Sequence, residues 1–457
     1  MFKKTLTAHF LTTINFQMYL KVTAFLWFPW KWKNFYNWKW KNNSVKNIEN
    51  KLLKYLNLEN SKIISFYNWR SAIFHWIKLL WIWEWDEILT QAFSCISVSN
   101  SIIQSWATPI YCDVDWSLNI SFEEIQKKFT KNTKAVLVQN TFWNPADLEK
   151  IKKFCEEKNI FLIEDCAHSL WAEFNWKKVW GFWDISIFSF WRDKVISSIN
   201  WGFLIINNLK LTKIDYFKNF LAQTVWAKRV FERKNFWNNQ LINIPLKELL
   251  KNLFYIKISY KAKIFYDFLW LWKIILFLWR KLKISPDVLS QNEKNCEEKK
   301  LNFKYPNALA EIWKMEFDKN LEKFNSHRIK IFKLYKKNLK KFSDEWKIFF
   351  PENNFWKNSL EWNFKNISLR IPLFITKKSK NSAEKILKLW RKEKIIFWDR
   401  YRNTIDPIWS SFEYAKYEKW SCKNAEKFAE EVINLPNHFW ISENDCKRIC
   451  EFLERNL

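Results

Sequence analysis

The sequence predicts an α/β protein: a large domain with a mostly parallel central sheet, followed by a small C-terminal α+β domain. Three observations carry this expectation. Between about residues 60 and 207, short apolar runs alternate with helical patterns, the rhythm of strand–helix–strand units whose strands lie parallel. From about Asp318 onward the pattern becomes helix, strands, helix. The chain of 457 residues is also long enough to bury a sizeable core. The expected division is 1–317 for the large domain and 318–457 for the small one, with 208–300 a basic and aromatic insertion of different character.

The first thirty residues are apolar in places, but Lys21 interrupts them and no small-residue cleavage site follows, so neither a signal peptide nor a membrane span is expected. A helix is expected to open at Ser71 and Ala72 and to end near LLWIWEWDE. Ser121 followed by Glu124 predicts a capping box at the start of a helix over 121–128. Four runs read as strands: Lys134–Asn140, Ile160–Asp165, Ile185–Phe190 and Phe203–Asn207. The insertion contains KIFYDFLWLWKIILFLWRKLK, whose apolar spacing is mostly helical. Two readings stay open for residues 251–283: a peripheral membrane helix or partner-binding arm, and a buried helix or dimer contact.

The composition holds an anomaly. There are 33 Trp and 2 Gly, and the two counts together approach the usual glycine share of about 7%. Trp81, Trp83 and Trp85 stand where a helix gives way to a turn, the place that wants a residue without Cβ. Both glycines, Gly181 and Gly202, directly follow a tryptophan. The expectation is that most tryptophans are glycines, written as Trp because UGA, which some bacterial lineages read as glycine, was translated as tryptophan. The competing reading is a Trp-rich protein with stacking surfaces for sugars or bases, which has to place aromatics at turns.

A net charge of +29 at face value points to nucleic acid or an anionic membrane. The lysines, however, are scattered through a background rich in Asn, Ile and Phe, and no nucleic-acid-binding motif accompanies them, so no nucleic-acid partner is expected. Eight cysteines include no CxxC pair, and Cys446 and Cys450 are only helix neighbours. Neither a zinc site nor a disulfide framework is indicated; reduced thiols and a cytoplasmic location are expected.

Three segments carry candidate chemistry. In FYNWRSA, a turn opening a helix presents free backbone N–H groups and the positive end of the helix dipole, a natural seat for a phosphate, to which Arg70 and Ser71 could add donors. An ordinary helix start is the plainer alternative. In IFLIEDCAHSLWAEF, Asp165 ends a buried strand, where an open α/β sheet places binding groups. In a pyridoxal enzyme that carboxylate would hold the pyridine nitrogen protonated, and His168 could donate to the phenolic oxygen. A packed histidine is the plainer reading of His168. DISIFSFWRDKVISSINWGFLII reads as strand, loop bearing Lys194, glycine-type turn, strand. Lys194 there can carry an aldehyde cofactor and move a proton, while Ser189 can reach a phosphate from the strand end.

NWRSA, EDCAHSLWA, FSFWRDK and INWGF resemble, in order, the phosphate turn, the pyridine-nitrogen segment, the lysine segment and the glycine turn of the DegT/StrS (DegT/DnrJ/EryC1/StrS) sugar aminotransferases. QAFSCISVSNSIIQSWATPIYCDVD, NFKYPNALAEIWKMEF, NSHRIKIFKLYKKNL and VINLPNHFWISENDCKRI are similar to further family segments. The likeness covers roughly 45–207 and 300–457 and leaves 208–300 outside. It implies a fold-type-I, homodimeric enzyme that holds pyridoxal 5'-phosphate on Lys194, with Asp165 and His168 on its ring. Arg70, Ser71, Ser189 and a neighbouring subunit's Asn302 would hold its phosphate. The implied reaction moves an amino group, usually from glutamate, to a nucleotide-linked keto sugar, most often for polysaccharide or surface-glycan assembly. Lys194 separates the chain from the family's dehydratase branch. Arg70, Cys95, His168 and Asn200 depart from the commoner residues, and these changes mark a divergent branch. The alternatives are a same-fold dehydratase and, from another class, a basic nucleic-acid- or membrane-binding protein using 208–300.

Overall fold

The computed structural model describes residues 6–7, 14–27 and 44–208 (without 171, 175–176, 179–182, 192–193 and 195), then 211, 241–265, 277, 301–351, 370–397, 401–407 and 410–457. The large domain begins with helices α1 (Phe16–Trp27) and α2 (Ser44–Leu56). It continues through β1 (Lys62–Phe66), α3 (Trp69–Leu79), β2 (Glu87–Gln91), α4 (Ile96–Gln104), β3 (Thr108–Cys112), α5 (Phe122–Lys128) and β4 (Thr133–Gln139). Then come α6 (Leu148–Lys158), β5 (Phe161–Asp165), β6 (Ile185–Ser189), β7 (Gly202–Ile206) and α7 (Leu246–Phe265). The long α8 (Asn307–Asn338) leads to β8 (Ile348–Phe349), β9 (Arg370–Ile375), α9 (Ala383–Lys392), α10 (Lys423–Glu431), β10 (Val432–Pro436) and α11 (Glu443–Asn456).

Seven strands form the central sheet in the order β1-β7-β6-β5-β4-β2-β3. The pairs from β6 through β3 are parallel, whereas β7 runs antiparallel to both of its neighbours. Strand β6 and strand β7 are buried at every position, and β4 at all but Lys134, so they read as continuous apolar runs rather than alternating ones. This is the α/β architecture expected of a fold-type-I transferase. The four expected strands lie within one residue of their expected ends.

Local signals set the helix ends. Ser121 caps α5 by accepting from the Glu124 amide, but only this forward half of the expected box forms. The Ser121 amide already donates to the Asp113 carbonyl, and the Glu124 carboxylate pairs with Lys127 and Lys128 instead. Buried Lys78 donates to the Ser105 carbonyl at 2.6 Å, satisfying the end of α4.

The small domain is a three-stranded antiparallel sheet, β8-β9-β10, packed with α9, α11 and the C-terminal part of α8. Helix α8 belongs to both cores: Leu309, Ile312, Trp313 and Phe317 lie in the large one, Ile331, Phe332 and Tyr335 in the small one. The expected division at 317/318 falls inside this helix.

Of the insertion, α7 packs on α1, and most of the Lys263–Lys283 run lies outside the described residues. Among the described residues no helix is long and apolar enough to cross a membrane. Among the described residues, six tryptophans adopt the left-handed backbone region: Trp81, Trp85, Trp106, Trp143, Trp346 and Trp420, with φ between 56° and 100°. A bulky L-residue is disfavoured there by about 1–2 kcal/mol.

Candidate active site

One cavity lies at the C-terminal ends of β4, β5 and β6, closed on one side by the start of α3 and on the other by the small domain. Parallel strands deliver their last side chains to such an edge, and the sequence places Gln139, Asp165 and Ser189 there. Lys194, His168 and Arg70 open into the same cavity.

The start of α3 is organised by Asn68. Its Oδ1 accepts from the Ser71 amide at 2.8 Å and from the Ser71 hydroxyl at 2.9 Å, so Ser71 is spent on the cap and is fully buried rather than lining the cavity. Arg70 lines the cavity, and its carbonyl accepts from Ser101 Oγ of α4 at 3.4 Å. Behind this turn lies the start of β7. A Cβ at Gly202 would sit 2.3 Å from Trp69 Cα, so the backbones meet where only glycine fits.

Asp165 is buried, and its Oδ1 accepts from the Ala167 amide at 2.9 Å. Burial raises its carboxyl to about 6, against the opposing pull of the Ala167 amide and the Lys194 charge. His168 stacks on Phe142 at 5.7 Å, receives the Phe142 amide on Nδ1 at 3.4 Å and has the Tyr401 hydroxyl 3.5 Å from Nε2. Desolvation, with the positive charges of Lys194 and Arg370, holds the imidazole well below its usual pKa, so it is neutral. Ser189 Oγ accepts from the Trp191 amide at 3.4 Å, and the Lys194 amide donates to the Trp191 carbonyl at 2.8 Å, forming the turn that carries the lysine.

Asn302 does not line this cavity. Its carbonyl accepts from Ile242 at 2.8 Å and its side chain meets His75, a ring whose burial lowers its pKa to about 4. The small domain supplies what the sequence reasoning missed: Arg370, Tyr401 and Asp406. Asp406 Oδ1 accepts from the Tyr401 amide at 2.6 Å, and Ile405–Asp406 pairs in parallel with Ser94–Cys95, stitching the two domains at the cavity rim. A lone arginine opening the buried strand RIPLFI was a legible cue for Arg370; Tyr401 precedes, and Asp406 ends, a strand of two residues, too short to carry a pattern. Among the described residues no cluster of His, Cys, Asp or Glu could hold a metal.

The sequence profile of the DegT/DnrJ/EryC1/StrS aminotransferase family matches residues 35–243 and 289–454. The chain belongs to this family. Among similar proteins, a GDP-perosamine synthase of Vibrio cholerae is 30% identical over 165 residues, covering 36% of this chain and 44% of that protein. One from Escherichia coli O157:H7 is 32% identical over 172 residues, 37% of this chain and 46% of that protein. The chain spans about half the length of the curated relatives it matches. The aminotransferase TlmJ from Streptoalloteichus hindustanus shares the fold over 99% of this chain and 98% of that one, with a TM-score of 0.68 and 15% identity. The cofactor of this DegT-family chain is pyridoxal 5'-phosphate, and the cavity fits it: a buried carboxylate, a lysine and a helix start with an arginine face one space.

Proposed function

We propose that the chain is a pyridoxal phosphate-dependent aminotransferase that moves an amino group from an amino acid, glutamate, to a nucleotide-linked keto sugar in glycan biosynthesis. The observation that carries this is the convergence of Lys194, Asp165 and Arg70 on one cavity from three separate segments. When bound, the cofactor supplies an aldehyde carbon and an electron-withdrawing ring. The chain's own residues do the rest. Asp165, ionised, accepts from the ring nitrogen and keeps it protonated, since a buried carboxylate gains most from a cationic partner. Neutral His168 is placed to donate from Nε2 to the phenolic oxygen. Arg70, Ser189 and the first amides of α3 hold the phosphate, with Ser71 acting through the Asn68 cap.

Lys194 Nζ would hold the cofactor and, once displaced by the amino donor, would take the proton from the donor's α-carbon and deliver it to the cofactor's aldehyde carbon. Arg370 offers a planar guanidinium suited to the carboxylate that an amino-acid donor brings. The aminosugar chemistry in the names of the relatives supports a sugar acceptor. Because Asn302 stands outside its own chain's cavity, a homodimer in which it reaches the neighbouring subunit's phosphate is part of this reading. So is a cytoplasmic location, in keeping with seven described cysteines that are all free thiols. Retention of Lys194 speaks against the dehydratase alternative.

Incubating holoenzyme with glutamate tests the reaction. Release of 2-oxoglutarate in stoichiometric amount without an acceptor, lost in Lys194→Ala, is the expected result. Sugar dehydration without consumption of an amino donor would replace it.

A further inference from the structure

Helix α7 lies within the stretch, residues 244–288, that the family profile leaves unmatched, yet it sends two side chains into the wall behind the proposed phosphate seat. Tyr67 is the residue just before the Asn68 cap, and it is buried. Its hydroxyl accepts from Asn252 Nδ2 at 2.5 Å and from Asn200 Nδ2 at 2.9 Å, and donates to Glu248 Oε1 at 3.2 Å. The other Asn252 N–H reaches the Glu248 carbonyl at 2.9 Å, and Asn200 also reaches Asn252 Oδ1 at 3.1 Å. The donors of all three groups thus find acceptors inside the protein, the condition for a buried polar set to hold one geometry.

This set joins three pieces of the site. Asn200 stands two residues before Gly202, whose backbone touches Trp69. Tyr67 leads directly into Asn68 and Arg70, which line the cavity. Asn252 and Glu248 come from α7. The residues leading into α7 grip the same region: Ile242 exchanges backbone hydrogen bonds of 2.8 Å with Asn302 and Lys304, and the Tyr67 amide donates to the Phe303 carbonyl at 2.9 Å.

We infer that residues 242–252 act as a strap that sets the position of the Asn68–Arg70 turn, with Asn252 as the positioning residue. Binding of the cofactor's phosphate then depends on Glu248 and Asn252, which lie outside the residues that the family profile matches. The inference rests on the function proposed above. Its physical basis is that an anion seat made of backbone amides works only while those amides keep their aim, and that removing one member of a buried set leaves its partners unsatisfied.

The test measures cofactor affinity by absorbance titration, the ³¹P resonance of the bound phosphate, and thermal stability in Asn252→Leu and Tyr67→Phe. Both variants are expected to raise the dissociation constant of pyridoxal phosphate about tenfold, the factor typical of one lost buried hydrogen bond, and to shift the ³¹P line. Tyr67→Phe removes a single oxygen and keeps the test open if Asn252→Leu does not fold. Leu253→Ala, at a buried apolar position on the same helix, is the control: it should lower the melting temperature and leave the affinity unchanged. Affinities within twofold of wild type in both folded variants overturn the inference, as does an equal loss in Leu253→Ala. Cofactor attachment to Lys194 in the wild type keeps the two readings apart: without it the proposed function fails, and with it a null result sinks only the strap.

Discussion

Gly202 and Trp69 meet backbone to backbone: a Cβ on Gly202 would lie 2.3 Å from Trp69 Cα and 2.5 Å from its nitrogen. The contact fixes the start of α3 against the first residue of β7, and so fixes the turn that lines the cavity. Gly202→Ala forces these segments apart, because neither neighbour is a flexible side-chain end. The expected result is a loss of several kcal/mol in stability, on the scale of overpacking in a core, with cofactor binding lost in whatever folds. Denaturant titration and absorbance read the two effects.

The recoding reading makes a prediction about the same backbone. Trp420, at φ 72°, and Trp85, at φ 76°, are exposed and occupy conformations natural to glycine. Trp420→Gly and Trp85→Gly should each stabilise the chain by about 1 kcal/mol, set by the left-handed penalty. Lower melting temperatures in both variants would count against it. Peptide masses from the native host give the direct answer, since Trp at positions 69, 83 or 191 would end the idea.

Asp165 gives a pH signature in the apoprotein. Its carboxyl is raised to about 6 in the fold, above an unfolded value near 4. The folded state therefore binds the extra proton, and stability falls as pH rises from about 4 to about 6, then levels. At about 1.4 kcal/mol per pKa unit the loss is about 3 kcal/mol. Glu164 and Glu316 are also raised and add to the wild-type slope. The difference between wild type and Asp165→Asn isolates the Asp165 share. Asp165→Asn should be the more stable apoprotein at pH 7 and the poorer enzyme.

Arg370→Lys keeps a charge and loses the planar fork. The expected outcome is a KM for the amino donor raised about tenfold or more, with pyridoxal phosphate affinity little changed. An unchanged KM would remove Arg370 from donor binding.

Much of this was legible in the chain because strand and turn patterns are local. Continuous apolar runs placed β4 to β7 within one residue, and the strand ends in turn delivered Asp165, Ser189 and the Lys194 loop to one edge. What stayed hidden came from afar. Arg370, Tyr401 and Asp406 reach the cavity from the small domain; the head of a buried strand marked Arg370 as a residue of interest, but no local pattern announces a contact across two hundred residues. Ser71 looked like a phosphate donor because it opens a helix; the Asn68 carboxamide claims its hydroxyl instead. Helical spacing was visible around α7, whereas the destination of Asn252 depends on tertiary packing alone.

The central claim is that the chain carries its cofactor on Lys194. Protein incubated with pyridoxal phosphate, reduced with borohydride and digested should show a single modified peptide, with the pyridoxyl mass on Lys194, and none in Lys194→Ala. Folded wild-type protein with no labelled lysine, or with the label on another lysine, would contradict the account.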